Sequence, residues 1–181
     1  MLRPLLLAAA LSVSAHAAAE DLKPVPALDL DRYAGVWHEI ARLPNRFEDQ
    51  CVADITATYT PLDDGKIRVV NACHNEDGDT EAVEGEARLS GEHPAKLEVR
   101  FAPKWLSFLP FVWADYWVIA LDDDYQWAIV GEPDREYLWF LTREPVVDTE
   151  TFEALKARAR GLGYELDELE VVTPPRDQPA G

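Results

Sequence analysis

Apolar and polar residues alternate along several short segments of the chain, and clusters of Gly, Pro, Asn and Asp separate these segments. Alternation with a period of two is typical of β-strands. Strands that recur roughly every eight to twelve residues favour an antiparallel barrel or sandwich, so the pattern predicts an all-β domain. The predicted strands are Gly35–Leu43, Cys51–Thr60, Lys66–Cys73, Thr80–Leu89, Lys96–Phe101, Ala114–Leu121, Tyr125–Gly131 and Tyr137–Arg143.

The first and last of these strands indicate that the sheet closes on itself. Trp37 follows Gly35 in the first strand, and Arg143 ends the last one. An indole and a guanidinium at the two ends of a series of strands can meet at the bottom of a closed barrel. A barrel of about eight strands has room for one small ligand. The predicted function is therefore the carriage of a small hydrophobic molecule.

One amphipathic helix follows the strands. Asp148 is the predicted N-cap, and Gly161 or Gly163 ends the helix. The apolar stripe of this helix must be buried, and the outer wall of the barrel is the surface available for it. The stripe consists of Phe152, Leu155, Ala159 and Leu162.

The two ends of the chain differ in composition from the strands. Residues 1–19 combine an N-terminal Arg, an apolar run and a small-x-small motif, which predicts a cleaved signal peptide. Residues 20–30 form a predicted extended arm, residues 31–174 the folded domain, and residues 175–181 a disordered tail. There is no cysteine of a lipobox near the cleavage site, which predicts an exported protein without a lipid anchor. Its expected location is the periplasm or the periphery of the outer membrane.

Strand alternation also predicts which side chains face the interior. The face of Trp37 and Arg143 is taken as the inner one, and it combines aromatic and aliphatic side chains with a few polar groups. Such a lining is typical of a pocket for an apolar ligand, although a solid core would show the same pattern. On the last two long strands, Ile129 and Leu141 are assigned to the interior, and Ala128, Val130, Leu138 and Phe140 to the outside. The predicted ligand contacts are Glu39, Ala41, Ile55, Ala57, Tyr59, Val69, Asn71, Val99, Phe101, Tyr116, Val118, Trp127 and Trp139.

Glu39 is an unusual residue for this face because its carboxylate would be buried. It could contact the head group of a ligand, or it could form an ion pair with Arg42, Arg46 or Arg100. The ion pair is the preferred interpretation.

The segment between the fifth and sixth strands carries large apolar side chains where a solvated loop would be polar. The segment 102–113 could pack within the domain, cover the barrel mouth, or contact a partner. Peripheral contact with a membrane is a further hypothesis, through Trp105, Phe108 and Phe111.

Two cysteines are present in this predicted exported chain. A regular hairpin around Gly65 would pair Cys51 with a residue near Asp77 rather than with Cys73. A disulfide between Cys51 and Cys73 therefore needs a bulge or a shifted turn, and the alternative is two free buried thiols.

Charge and motifs narrow the choice of partners and chemistry. The formal net charge is −17 at pH 7, which disfavours nucleic acid and anionic membrane surfaces. The sequence holds no paired His or Cys motif for zinc, no Gly-rich phosphate loop and no Gly-x-Ser-x-Gly motif. We therefore predict no metal, no cofactor and no enzymatic activity.

Taken together, these segments resemble the lipocalin family, and within it the bacterial lipocalins of the Blc type, which are relatives of apolipoprotein D. The resemblance covers about Leu28 to Pro174. It is carried by segments similar to three family signatures and by the two cysteines in their local context. These segments are Asp31–Pro44, Tyr116–Ile119 with Asp124–Gly131, Leu138–Arg143, and Cys51 with Asn71–Cys73.

The resemblance implies an eight-stranded up-and-down barrel with the C-terminal helix packed outside. It implies structural roles for Gly35, Trp37 and Arg143, and a pocket for a fatty acid, a lysophospholipid or a similar lipid. The role implied is lipid storage or transport in the cell envelope, and a homodimer is compatible with the sequence. Two alternatives stay open. One is an enzyme acting on a lipid or carotenoid through Glu39; the other is an interaction protein using the 104–113 loop.

Overall fold

The computed structural model describes residues 21–103, 106 and 109–177 of the chain. Within these residues, strands alternate with short turns until a single long helix follows. The strands are β1 (Gly35–Arg42), β2 (Ala53–Pro61), β3 (Ile67–His74), β4 (Thr80–Leu89), β5 (Lys96–Arg100), β6 (Ala114–Leu121), β7 (Trp127–Gly131), β8 (Leu138–Thr142) and β9 (Glu170–Val171). The helices are α1 (Leu30–Tyr33) and α2 (Thr149–Gly161), with a 3₁₀ turn at Pro110–Val112.

The sheet closes into a barrel because β1 pairs with both β2 and β8. Every strand from β1 to β8 lies antiparallel to its neighbours in the sequence, which gives the predicted up-and-down topology. Closure leaves no free edge along the paired segments. The short β9 pairs with Ala41 and Arg42 of β1 and is not one of the eight barrel strands. The predicted eight-stranded barrel is therefore confirmed, with β9 as an addition.

A buried aromatic contact closes one end of the barrel, as the sequence predicted. The guanidinium of Arg143 lies 3.8 Å from the ring centroid of Trp37, which is fully buried. Arg143 also donates hydrogen bonds to the carbonyl oxygens of Val36 at 2.8 Å and Arg32 at 2.7 Å. Gly35 permits this approach: its φ is +95°, and a Cβ there would lie 3.4 Å from Nη1 of Arg143. The contact ties α1 and β1 to the end of β8.

Helix α2 packs on the outer wall, as the apolar stripe predicted. The side chain of Asp148 accepts a hydrogen bond from the backbone N–H of Thr151 at 2.6 Å and caps the helix. Phe152 and Leu155 are buried, and the Phe152 ring meets Phe140 of β8 edge-on at 6.3 Å. In the part of the chain that the structure describes, no helix has the length and apolarity needed to cross a membrane.

A bulge in β1 overturns the prediction that Ala41 faces the interior. Glu39 pairs with Leu141 and Ala41 with Phe140, so Ile40 is an extra residue between the two pairs. The extra residue moves Ala41 to the outer face, where it is buried in the cluster beneath α2. Alternation alone cannot locate such an insertion.

The face of β7 is the reverse of the one predicted. Ala128 pairs with Leu141, and Val130 pairs with Trp139, so Ala128 and Val130 share the inner face with them. Trp127 therefore packs outside against the α2 cluster, and Ile129 lies within that cluster. The prediction of an interior Trp127 and Ile129 is wrong because both faces of this strand are apolar, which removes the signal that alternation needs.

The predicted disulfide between Cys51 and Cys73 is present, and it lies next to a bulge in β2. Ala53 pairs with His74 but Thr56 pairs with Ala72, so two residues of β2 oppose one of β3. Asp54 sits in this bulge with a φ of 51°. The bulge shifts the register by only one residue. Cys51 itself precedes β2, in a turn where its N–H donates to the carbonyl of Glu48 at 2.9 Å, and its Cα lies 5.5 Å from that of Cys73.

The segments before and after the barrel pack against it. Val25 in the N-terminal arm donates its backbone N–H to the carbonyl of Val118 at 2.8 Å, and Leu28 is buried in the interior cluster. At the other end, the N–H of Arg176 donates to the carbonyl of Val147 at 2.9 Å. Part of the predicted tail thus has a defined place, while residues 1–20 and 178–181 lie outside the described residues.

Candidate ligand-binding site

The barrel encloses a cavity of about 250 Å³. Its walls are mainly apolar and aromatic, and residues of β1, β2, β3, β5, β6 and β8 contribute to them. The lining residues are Glu39, Phe47, Glu48, Ile55, Thr56, Ala57, Tyr59, Val69, Asn71, Val99, Phe101, Val112, Ala114, Asp115, Tyr116, Tyr137, Trp139 and Leu141.

Most of the predicted ligand contacts line this cavity, and three do not. Ala41 and Trp127 lie on the outer face, as described above. Val118 is fully buried in the interior cluster but does not line the cavity. Sequence reasoning missed Phe47 and Glu48, because both lie in the connection between β1 and β2, where alternation gives no information.

Three aromatic rings form one wall of the cavity. The ring centroids of Phe47 and Tyr137 lie 5.4 Å apart, and Tyr137 stacks on Trp139 at 5.9 Å with an angle of 19° between the planes. The indole N–H of Trp139 donates to a carboxylate oxygen of Glu48 at 3.2 Å. Aromatic faces and a carboxylate therefore lie side by side on this wall.

A buried arginine holds the carboxylates of this wall. Nη1 of Arg42 lies 3.1 Å from an oxygen of Glu39 and 3.7 Å from an oxygen of Glu48. Its Nε lies 3.0 Å from an oxygen of Glu170 in β9. Of the partners considered for Glu39, Arg42 is thus the one the structure provides. The β1 bulge is the reason, since it turns Arg42 to the same side of the strand as Glu39.

Burial raises the pKa of Glu39 well above its usual range. The nearby Glu48 carboxylate raises this pKa further, while the charge of Arg42 and its hydrogen bond to Glu39 lower it. The net direction means that the charged form of Glu39 is incompletely compensated in the cavity wall.

Tyrosine hydroxyls form a polar cluster between the cavity and Trp37. The hydroxyl of Tyr116 shares hydrogen bonds of 2.8 Å with those of Tyr33 and Tyr59. Burial raises the pKa of all three phenols, so they remain protonated at neutral pH. Tyr59 and Tyr116 also line the cavity and can hydrogen-bond a ligand there.

A second cavity of about 270 Å³ adjoins the first beside the disulfide. Phe47, Asn71 and Phe101 line both cavities. The side-chain Oδ1 of Asn71 is buried without a hydrogen-bond partner.

The apolar segment before β6 is described only in part. Trp105 and Phe108 lie outside the described residues. Phe111 is 78% exposed, and its neighbour Val112 lines the cavity. Among the described residues there is also no cluster of three or more His, Cys, Asp or Glu side chains arranged to hold a metal ion.

The fold and the cavity define a closed antiparallel barrel built around a mainly apolar interior cavity. The model of the Lipocalin-like domain matches residues 28–174, and the chain belongs to the lipocalin family. Members of this family typically bind small hydrophobic ligands.

Individual relatives agree with this assignment. The chain is 39% identical to temperature-induced lipocalin-1 of Arabidopsis thaliana, over 88% of this chain and 86% of the relative. It is 41% identical to the outer membrane lipoprotein Blc of Citrobacter freundii, over 78% and 76% of the two chains. Apolipoprotein D of Rattus norvegicus is 36% identical over 71% and 67%. Insecticyanin of the tobacco hornworm Manduca sexta superposes with a TM-score of 0.65 at 25% identity, covering 85% of each chain.

Proposed function

We propose that this protein binds one small hydrophobic ligand with an acyl chain, such as a fatty acid or a lysophospholipid, and stores or transports it in the bacterial cell envelope. The observation that supports this proposal is the cavity itself, whose aromatic and aliphatic walls carry a few polar groups. The predicted signal peptide and the relatives named outer membrane lipoproteins support the location.

Burial of the acyl chain provides the driving force. Each methylene transferred from water contributes about 0.8 kcal/mol. Part of this gain is offset by the ordering of the ligand, which costs at least about 4 kcal/mol. With the ordering cost at this lower limit, a chain of roughly fifteen to sixteen carbons reaches micromolar affinity, which corresponds to about −8.2 kcal/mol.

Native mass spectrometry of the mature protein purified from its own envelope tests the proposal directly. We expect a near one-to-one complex with a lipid that solvent extraction then identifies. Ala57→Trp should abolish this complex because Ala57 lines the cavity. Ala154→Trp is the matched control, since Ala154 is exposed on α2. An empty wild-type barrel that ignores added lipids, or an Ala57→Trp variant that keeps its full lipid load, would contradict the proposal.

We propose a binding role rather than an enzymatic one. The enzyme hypothesis requires that Glu39 act on a ligand in the cavity. Turnover of a candidate lipid by the wild type, and its loss in Glu39→Gln, would overturn the proposal of a purely binding role.

A further inference from the structure

We propose that the cavity selects an apolar ligand that carries a positively charged ammonium group. The wall formed by Phe47, Tyr137 and Trp139 with Glu39 and Glu48 would be the head-group site. This inference rests on the proposed function, because it names the ligand class for the same cavity. Among acyl ligands, it favours those with a cationic nitrogen over free fatty acids.

The polar groups of the cavity wall favour a cationic ligand. Glu39 and Glu48 present carboxylates, which when ionised can only accept hydrogen bonds. None of the described lining residues is Lys, Arg or His. A fatty-acid carboxylate would meet like charge without a lining cation, whereas an ammonium group would meet acceptors.

The single arginine behind the wall does not balance its charge. Arg42 is shared among the carboxylates of Glu39, Glu48 and Glu170, at 3.1, 3.7 and 3.0 Å. One guanidinium neutralises one carboxylate, so the cluster keeps excess negative charge from Glu48 and Glu170 even when Glu39 is protonated. Arg42 itself does not line the cavity. A ligand cation would supply the missing positive charge without displacing the existing ion pairs.

The aromatic part of the wall has the composition of a cation-binding surface. The faces of Trp, Tyr and Phe attract ammonium groups electrostatically, and desolvated sites gain about 2 kcal/mol from this interaction. Tyr137 is in ring contact with both Phe47 and Trp139, at 5.4 and 5.9 Å. Trp139 donates to Glu48, so the rings adjoin a carboxylate. The exposed Arg46, which precedes Phe47 in the sequence, places its guanidinium 5.5 Å from the centroid of the Phe47 ring.

A series of ligands with one chain and four head groups tests the inference. Tetradecyltrimethylammonium, tetradecylamine, tetradecanol and tetradecanoate are titrated into delipidated protein at pH 7.4 and physiological salt, below their aggregation concentrations. Calorimetry or tryptophan fluorescence reports the affinities. We expect the two cations to bind about tenfold more tightly than the alcohol, and the alcohol more tightly than the carboxylate. The comparison of the two cations shows whether hydrogen bonding or the aromatic faces contribute more.

Matched variants assign the selectivity to the wall. Glu48→Gln should remove most of the preference for cations, so that the affinities of the two cations come close to that of tetradecanol. Phe47→Leu should reduce it less, and this variant should fold normally because Phe47 is 53% exposed. Glu92→Gln removes the same charge at an exposed position outside the cavity and serves as the control.

The outcomes separate the inference from the proposed function. Equal affinities across the series, or tighter binding of the carboxylate, would overturn the inference and leave the lipid-binding function standing. A preference for cations that Glu92→Gln reduces as much as Glu48→Gln would attribute it to the overall negative charge, and would equally overturn the inference. Failure of all four compounds to bind would contradict the proposed function itself.

Discussion

Each end of the barrel holds an arginine close to aromatic side chains, but the groups that surround the two arginines differ. At the closed end, Arg143 lies over the Trp37 ring and donates to backbone carbonyl oxygens, which are neutral. At the cavity, Arg42 is surrounded by the carboxylates of Glu39, Glu48 and Glu170. The surroundings of Arg143 satisfy its donors without adding charge, whereas those of Arg42 leave excess negative charge.

The pKa values follow this contrast. Burial lowers the pKa of Arg143, and the effect of Tyr33 opposes this only weakly. Burial also lowers the pKa of Arg42, but the Glu39 and Glu48 carboxylates outweigh it and the net shift is upward. The closed end, with its polar groups satisfied, is the part expected to serve stability, and we propose that the wall with unbalanced charge serves binding. Three experiments can break or sharpen this comparison.

The largest effect is expected from Trp37→Ala at the closed end. Trp37 is fully buried, and replacing a buried Trp by Ala typically lowers the free energy of unfolding by about 3–5 kcal/mol. Urea unfolding followed by circular dichroism measures the change. Trp127→Ala is the control, because Trp127 is only partly buried on the outer face. A loss for Trp37→Ala no larger than that of the control would refute a structural role for the closed end.

The disulfide should give the next largest effect. It joins Cys51 and Cys73 across a separation of 22 residues. Its removal in the double variant Cys51→Ala/Cys73→Ala should lower the free energy of unfolding by about 2–4 kcal/mol. The disulfide lines the second cavity, which shares Asn71 with the first, and it does not lie at the Trp37 end. We therefore also expect weaker ligand binding in the double variant. Wild-type affinity in the folded double variant would show that the disulfide acts on stability alone.

Glu39→Gln should change stability by the smallest amount, on the order of 1 kcal/mol for each unit of pKa displacement that it removes. The native pKa of Glu39 is raised, so the native protein holds this proton at pH values where the unfolded chain has lost it. The contribution of Glu39 to the free energy of unfolding therefore falls as pH rises from about 4.3 through the native pKa. The Gln variant lacks this loss, so its free energy of unfolding should rise relative to that of the wild type over that pH interval.

Urea unfolding of both proteins between pH 4 and pH 8 measures this difference. Glu92→Gln, an exposed substitution of the same kind, should follow the wild type throughout. Parallel curves for wild type and Glu39→Gln would mean that Arg42 compensates the Glu39 charge fully, and the contrast between the two arginines would then disappear.

The parts of the site that the sequence predicted are those where one strand face is polar or where two distant residues must meet. Trp139 and Leu141 were assigned correctly to the interior because they alternate in step with Arg143, whose contact with Trp37 sets the inner face of β8. Trp127 was assigned wrongly because β7 is apolar on both faces, and only its pairing with β8 sets its orientation. Ala41 was misplaced by a bulge, which leaves no mark in a pattern of alternation.

By itself, the sequence determined the number and order of the barrel strands, the closed end at Trp37 and Arg143, and the apolar face of α2. These features depend on local periodicity and on a few residues with specific contacts. Both can be recognised in the sequence alone. Only the tertiary structure decided that Glu48 and Phe47 join the cavity wall, and that Arg42 reaches Glu39. These positions depend on a bulge and on a connection between strands, where the backbone path is set by packing across the whole barrel rather than by neighbouring residues.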